Sequence, residues 1–117
     1  DMQSAAKTDA AKTIAESSLA ALKQLEAVTE TLLSRQSDSA FTGAAATDYQ
    51  RMFALVCFGW MWAKMAKEAA GKTNDFERRK TVLADFFAHR MLSQTEALAK
   101  AIENGAVSIM ALDAELF

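Results

Sequence analysis

The chain has 117 residues, and its 13 Lys and Arg against 15 Asp and Glu give a formal net charge of −2. This balance lacks the broad positive field that nucleic-acid binding needs, so we expect no nucleic-acid partner. Hydrophobic residues make up 51% of the chain, Pro is absent and Gly occurs only four times, which favours helices over strands and turns. The sequence therefore predicts a single all-α domain over residues 1–117.

The cysteine count and the length of the apolar runs predict a compartment. Cys57 is the only cysteine, so no internal disulfide can form, and a reducing, cytoplasmic location fits best. The longest apolar run, Met52 to Ala63, has 12 residues. Because a bilayer needs roughly 20, we predict a core helix and no membrane span. The chain opens on Asp1 and not on an initiator methionine, so we favour a C-terminal fragment of a longer chain over a processed product.

The first predicted element is a long amphipathic helix from about Ser4 to Gln36, a stretch without Gly or Pro. Its apolar stripe keeps to one arc of the helix and consists of Ile14, Ala21, Leu22, Leu25, Val28 and Leu32. The stretch from Gln36 to Ala46 then gathers Ser, Asp, Thr and Gly and loses this periodicity. It is predicted to be the first loop.

The second helix is predicted from Thr47 to Ala70, because Thr47 and Gln50 have capping-box spacing and Gly71 suits the left-handed residue that ends a helix. At 100° per residue, this helix is apolar on two sides. The first side is made mostly of small residues that let a partner helix approach closely: Met52, Val56, Gly59, Ala63, Ala66 and Ala70. The second side is large and sulfur-rich, with Phe58, Met61, Trp62 and Met65. Such a helix needs neighbours on two sides.

The third helix is predicted to begin near Asp75, capped by Asn74 with Glu77 at N3, and to end at the Asn104–Gly105 pair. Its predicted core stripe is Phe76, Leu83, Phe87, Met91, Leu98 and Ile102, while Val82 and Phe86 lie away from that stripe. Short connections make the helices antiparallel. We therefore predict an up-down bundle of three long helices plus a short C-terminal helical segment, which could cover the second side of the second helix.

Patterns that carry catalysis or metal binding do not emerge from the sequence. His89 is the only histidine, which excludes a site with several imidazole ligands, and Asp85 one turn earlier fits a surface pair. The scattered glycines form neither a phosphate loop nor a dinucleotide fingerprint. We predict no catalytic, cofactor-binding or metal-binding residue in this chain.

Two segments resemble a known family. The string TDYQRMFALVCFGWMWAKMAKEA, Thr47 to Ala69, resembles the C-terminal helical domain of a bacterial acyl-CoA dehydrogenase subfamily, the methylthiopropanoyl-CoA dehydrogenase-like enzymes. The end of the chain, Lys80 to Phe117, is similar to the last helix, the glycine turn and the terminal leucine-phenylalanine of that domain. One departure is Ser93, where the family pattern has proline after Leu92. Without that proline, we expect the third helix to be less kinked.

The resemblance implies a non-catalytic C-terminal domain of an FAD-dependent oxidoreductase that dehydrogenates acyl-CoA thioesters in fatty acid metabolism. In such flavoproteins the glutamate base and most of the flavin site belong to preceding domains, so we expect no cofactor in this fragment and FAD in the parent enzyme. Its partner would be the remainder of the dehydrogenase or a second subunit, in a homo-oligomer. The candidate docking residues are Phe58, Met61, Trp62 and Met65, because aromatic and Met side chains are enriched at interface centres.

Other interpretations stay open on the sequence alone. The chain could be a free-standing helical dimerisation or adaptor module that uses the same apolar side. It could also be a small bundle that holds a hydrophobic ligand, or haem bound by His89 and a methionine. If the C-terminal segment folds over Trp62 and its neighbours, those side chains belong to the core.

Overall fold

The computed structural model describes residues 2–70, 72, 74–113 and 116, with side chains from Ala10 onward. Its elements are α1 (Met2–Ser34), α2 (Ser39–Ala69), α3 (Asp75–Phe86), a π-helical turn (Phe87–Met91) and α4 (Gln94–Glu103). Within these ranges there is no strand. The predicted all-α architecture of three long helices and a short C-terminal segment is confirmed, with α3, the π turn and α4 together forming the third long helix.

Contacts at both ends of the shared surface show that α1 and α2 are antiparallel. The Tyr49 and Thr29 hydroxyls hydrogen-bond at 2.7 Å, near the C-terminal end of α1. Ser18, more than two turns earlier on α1, lies against Gly59, which comes later on α2. The third long helix returns alongside α2, since the side chain of Leu92 touches Gly59. It also contacts α1, because the Thr95 hydroxyl lies 2.9 Å from Gln24 Oε1.

Small side chains make up much of the core, so the helices approach closely. The small side of α2 faces inward as predicted: Met52, Val56, Gly59 and Ala66 are buried, and Ala63 and Ala70 are half-buried. Small residues of the other helices are buried with them: Ala21, Thr81, Ala84, Ala88, Thr95 and Ala99. From the predicted stripe of α1, Ile14, Leu25 and Val28 are buried, whereas Leu22 is exposed. Small residues therefore line much of the contact between the helices, beside larger core side chains such as Ile14, Met52 and Ile102.

The start of α2 corrects the predicted loop over Gln36 to Ala46. The helix begins at Ser39, because Asp38 is its N-cap and accepts a hydrogen bond from the Phe41 backbone N–H at 3.1 Å. Phe41 is buried, so tertiary packing and the cap together make the Ala-rich stretch helical. The capping-box spacing at Thr47 lies within this helix and caps nothing.

The predicted N-cap of the third long helix is confirmed, but its predicted stripe is wrong in the first half. Asn74 Oδ1 accepts a hydrogen bond from the Glu77 N–H at 2.9 Å. Phe76 and Leu83, which were expected in the core, are 61% and 47% exposed. The face turned toward α1 and α2 is instead the one with small side chains at Thr81, Ala84 and Ala88. The predicted left-handed cap at Gly71 lies outside the described residues.

The third long helix is interrupted by the π turn. The Leu92 N–H donates to the Phe87 carbonyl at 2.9 Å, an i to i+5 hydrogen bond that adds one residue to the turn. Ser93 follows, and its hydroxyl donates to the His89 carbonyl at 2.9 Å. The third long helix thus departs from regular α-helix at this point with Ser93, and no proline, after Leu92.

The C-terminal segment leaves the bundle after Gly105, which has a φ of +70° and lies against the ring of Phe41. Its described residues form one helical turn, closed by a 2.9 Å hydrogen bond from the Met110 N–H to the Ala106 carbonyl. The large apolar side chains of these described residues are exposed: Val107, Ile109, Met110, Leu112 and Leu116. The described part of the segment does not cover the second side of α2, where Phe58 and Met61 remain about half exposed.

The two glycines of α2 give a matched test of close packing. A Cβ on Gly59 would lie 2.7 Å from Leu92 Cδ1 and 2.9 Å from Ser18 Oγ, whereas a Cβ on Gly43 meets nothing within 4 Å. Gly43→Ala should raise the free energy of unfolding by about 1 kcal/mol through helix propensity. Gly59→Ala should lower it, because overpacking costs roughly 1–3 kcal/mol. Urea unfolding measures both, and equal stabilisation by the two variants would contradict the close approach.

The N-cap of α2 predicts a pH dependence. The Phe41 N–H, assisted by the guanidinium of Arg35, lowers the pKa of Asp38 below its ordinary value of 3.8, although partial desolvation opposes this. The stabilisation is thus present above the unfolded-state pKa and is lost as the pH falls through the lower folded-state pKa. Asp38→Asn keeps the cap without a titrating group. The unfolding midpoint of the wild type should therefore fall more than that of Asp38→Asn between pH 5 and pH 2.5, and parallel curves would refute this.

Candidate docking surface

The four residues predicted to dock, Phe58, Met61, Trp62 and Met65, form what we call the α2 patch. They share one side of α2, and Trp62 among them contacts Phe87 and Lys80 of the third long helix. Phe58 and Met61 are 52% and 50% exposed, whereas Trp62 and Met65 are half-buried. The structure therefore places these side chains together, with two at the surface and two partly covered.

Trp62 is the patch residue whose ring packs against the core of the bundle. Its ring centroid lies 6.4 Å from that of Phe87, at an interplanar angle of 31°. The ammonium group of Lys80 lies 6.0 Å from the Trp62 ring centroid, within the range of a cation–π interaction. Because Phe87 is buried, one part of the Trp62 ring contacts the core while the rest stays accessible. Trp62 is neither wholly core nor wholly surface.

Apolar side chains of α3 extend this surface, and sequence reasoning assigned some of them to the core. We call Phe76, Val82, Leu83 and Phe86, which are 47–63% exposed, the α3 ridge. Lys80 connects the ridge to the α2 patch, since its ammonium group is 5.0 Å from the Phe76 ring and also close to Trp62. The one sequence signal for the ridge was that Val82 and Phe86 lie away from the predicted stripe.

Basic side chains border the α3 ridge. Arg78 and Arg79 line an open depression of about 450 Å³ together with Asp75, Val82 and Leu83. The Arg79 side chain donates from Nε to the Asp75 carbonyl at 3.3 Å, which leaves its other guanidinium nitrogens free to contact a partner. An apolar centre with a charged rim is the arrangement found at protein–protein interfaces.

The described residues provide surface for binding and little for chemistry. Among them, no three His, Cys, Asp or Glu side chains come together as a metal site would require. His89 is exposed, and its Nδ1 lies 2.9 Å from the Asp85 carbonyl and 3.5 Å from Asp85 Oδ1, the surface pair that the sequence suggested. None of the described helices combines the length and the apolar character that crossing a bilayer requires.

Trp62 and Met61 should respond differently to truncation, because only Trp62 packs on the core. Trp62→Ala should lower the free energy of unfolding by about 2 kcal/mol, since part of a large ring loses its contact with Phe87. Met61→Ala should change it by no more than about 0.5 kcal/mol. Chemical denaturation followed by circular dichroism measures both variants, and a neutral Trp62→Ala would show that the ring is not packed.

A comparison with protein families gives a match over most of the chain. The family model described as acetyl-CoA dehydrogenase C-terminal like matches residues 1–113, nearly the whole chain. No curated protein and no solved structure matches it. The first segment that resembled the acyl-CoA dehydrogenases, Thr47 to Ala69, lies within this match, and the second lies within it up to residue 113. The match also covers the first helix. This chain belongs to the acetyl-CoA dehydrogenase C-terminal-like family.

Proposed function

We propose that this chain is a docking domain of an acyl-CoA dehydrogenase, which binds the dehydrogenase body or its second subunit through the α2 patch and the α3 ridge. The family match supports association with a dehydrogenase, because the family is one of C-terminal domains of such enzymes. The observation that carries the choice of surface is that large apolar side chains stand about half exposed on both helices, Phe58 and Met61 on α2 and Phe76 on α3. Lys80 lies between the two helices, within reach of the Trp62 and Phe76 rings.

The energetics favour a covered surface. Burying a large apolar side chain that stands in water contributes roughly 1.5–3 kcal/mol when it is fully covered, and about half of that for a side chain already half-buried. The α2 patch and the α3 ridge together hold six large apolar side chains that are about half exposed or more. Apolar areas of this extent on soluble proteins mark interaction sites. A partner that covers this surface therefore gains binding free energy from each of these six side chains.

The proposed parent is an FAD-dependent oxidoreductase that acts on acyl-CoA thioesters, of the methylthiopropanoyl-CoA dehydrogenase-like subfamily. The FGWMWAKMA string supports the subfamily, and it lies within α2 with its aromatic residues accessible. FAD and the catalytic base then belong to the preceding domains, and residues 1–117 form one non-catalytic helical domain. We place the parent in the cytoplasm, as a homo-oligomer that works in fatty acid metabolism.

Two phenylalanines of α2 with equal exposure provide a sharp test of the docking surface. Phe58 in the patch is 52% exposed, and Phe53 on the opposite flank of the helix is 51% exposed. Phe58→Asp should weaken binding to the dehydrogenase body at least tenfold, because it places a charge in an apolar interface. Phe53→Asp should leave that affinity unchanged. Titration calorimetry against the separately produced dehydrogenase body measures both.

Helical content must stay the same in both variants, which far-UV circular dichroism checks. Equal loss of affinity in Phe58→Asp and Phe53→Asp would refute the assignment of the surface. The mass of the native polypeptide tests the parent itself, by blotting source cells with an antibody against this domain. A band several times larger than 12.7 kDa supports an appended domain. A band near that mass would instead favour an independent dimerisation or adaptor module.

A further inference from the structure

A second apolar surface lies on the other side of α2, in a groove between α1 and α2. The groove has a volume of about 410 Å³ and is lined almost entirely by apolar side chains. Leu19 and Leu22 of α1 form one wall, and Cys57, Trp60 and Ala63 of α2 form the other. Leu19 is 59% exposed and Trp60 is 58% exposed. The groove is separate from the α2 patch, because Trp60 and Trp62 leave the helix about 200° apart.

The C-terminal arm, residues 106–117, is rich in apolar residues, and over its described part, residues 106–113 and 116, the bundle leaves the large apolar side chains exposed. Ile109, Leu112 and Leu116 are 62%, 53% and 69% exposed. Their spacing of i, i+3 and i+7 would place them on one side of a helix, the pattern of a helix that binds in a groove. The arm already forms one helical turn at Ala106 to Met110. It has the apolar side chains that a groove of this kind accepts.

Geometry prevents a helical arm from reaching the groove of its own chain. The arm starts at Gly105, beside Phe41 near the N-terminal end of α2. The groove begins at Val56, 15 residues further along α2, which is about 22 Å at 1.5 Å per residue. Leu112 lies only about 10 Å along a helical arm. A fully extended arm would reach, but it would set unpaired peptide groups against an apolar surface.

Charge also favours this pairing. The chain has no Lys or Arg after Lys100, and the arm contains Asp113 and Glu115. Lys64 stands at the groove, with its ammonium group 4.2 Å from the Trp60 ring centroid. An acidic arm in this groove would meet the Lys64 ammonium group on the α2 wall.

We propose that the C-terminal arm of one copy docks as a helix in the α1/α2 groove of a second copy, with Leu112 and Leu116 against Trp60 and Leu19. If a two-fold axis relates the two copies, each arm binds in the groove of the other copy, and both arms and both grooves are covered. This contact uses neither the α2 patch nor the α3 ridge. It therefore stands or falls separately from the proposed docking on a dehydrogenase.

The single native cysteine makes the contact testable by disulfide trapping, because Cys57 lies in the groove and a second cysteine can be placed on the arm. A tagged chain with Leu112→Cys and Cys57→Ser is mixed with the wild-type chain and oxidised. The matched control carries Glu103→Cys and Cys57→Ser, which places the thiol at an exposed site on α4 before the arm. A disulfide requires the two Cα atoms to come within about 7 Å.

The mixed disulfide between the Leu112→Cys chain and wild-type Cys57 should form at least tenfold faster than that of the Glu103→Cys control. Equal rates would overturn the proposal. A second variant carries Leu112→Cys with Cys57 intact. An intramolecular disulfide between these two cysteines, seen at the mass of a monomer, would also overturn the proposal, because the arm would then reach the groove of its own chain. Phe58→Asp should leave the trapping rate unchanged, which separates this result from the fate of the docking surface.

Sedimentation equilibrium provides the second measurement on the same 117-residue chain. The wild type should form a dimer whose fraction rises with protein concentration. Leu112→Asp should raise its dissociation constant at least tenfold, with the helical signal unchanged because the side chain is exposed in the monomer. A wild-type chain that stays monomeric through the micromolar range would overturn the proposal, and so would a dimer that Leu112→Asp leaves intact.

Discussion

The close approach at Gly59 is the constraint on which the arrangement of the three long helices depends. The side chains of Ser18 from α1 and Leu92 from the end of the π turn both lie within the space that a Cβ at Gly59 would need. Ser18 Oγ is buried there without a hydrogen-bond partner among the described residues, a cost that the close contact must offset. The helices can meet at this point only because α2 has no side chain there.

The π turn is coupled to this contact. Its i to i+5 hydrogen bond from the Leu92 N–H to the Phe87 carbonyl adds a residue shortly before α4 begins at Gln94. This brings Leu92 onto Gly59 while Phe87 stays buried against Trp62. Thr95 then follows in the core, where its hydroxyl is hydrogen-bonded to the Leu92 carbonyl at 2.8 Å. The irregular turn thus lets both halves of the third long helix bury a face against the same two neighbours.

Much of the fold follows from patterns that the sequence shows. The helix content, the buried stripe of α1 around Ile14 and Leu25, the small side of α2 and the Asn74 cap were all predictable from local rules. The start of α2 was missed because the cap at Asp38 is followed by weakly apolar residues, and only the burial of Phe41 reveals it. Periodicity could not predict such a long-range contact.

The error in the third long helix has a different cause. A stripe chosen by hydrophobicity selects Phe76 and Leu83, two large apolar residues of α3, and assumes that size favours the core. In a bundle that is closed by the contact at Gly59, the space between helices is small, so Thr81, Ala84 and Ala88 face inward. The large residues then lie at the surface and form the α3 ridge. The same physical constraint therefore explains both the core and the candidate site.

Helix α2 shows why an isolated bundle does not use all of its apolar surface. Two of its residues, Trp60 and Trp62, are close in sequence but belong to the groove and to the α2 patch on different sides. In the monomer, the small side of α2 is covered and Trp62 and Met65 are partly covered, whereas Phe58, Trp60 and Met61 remain about half exposed. With a dehydrogenase on the patch and an arm in the groove, α2 would be buried nearly all round, as a helix of this composition usually is. The apolar surface of α2 would then be covered on three sides. The bundle covers the small side, a dehydrogenase covers the α2 patch, and the arm of a second copy covers the groove.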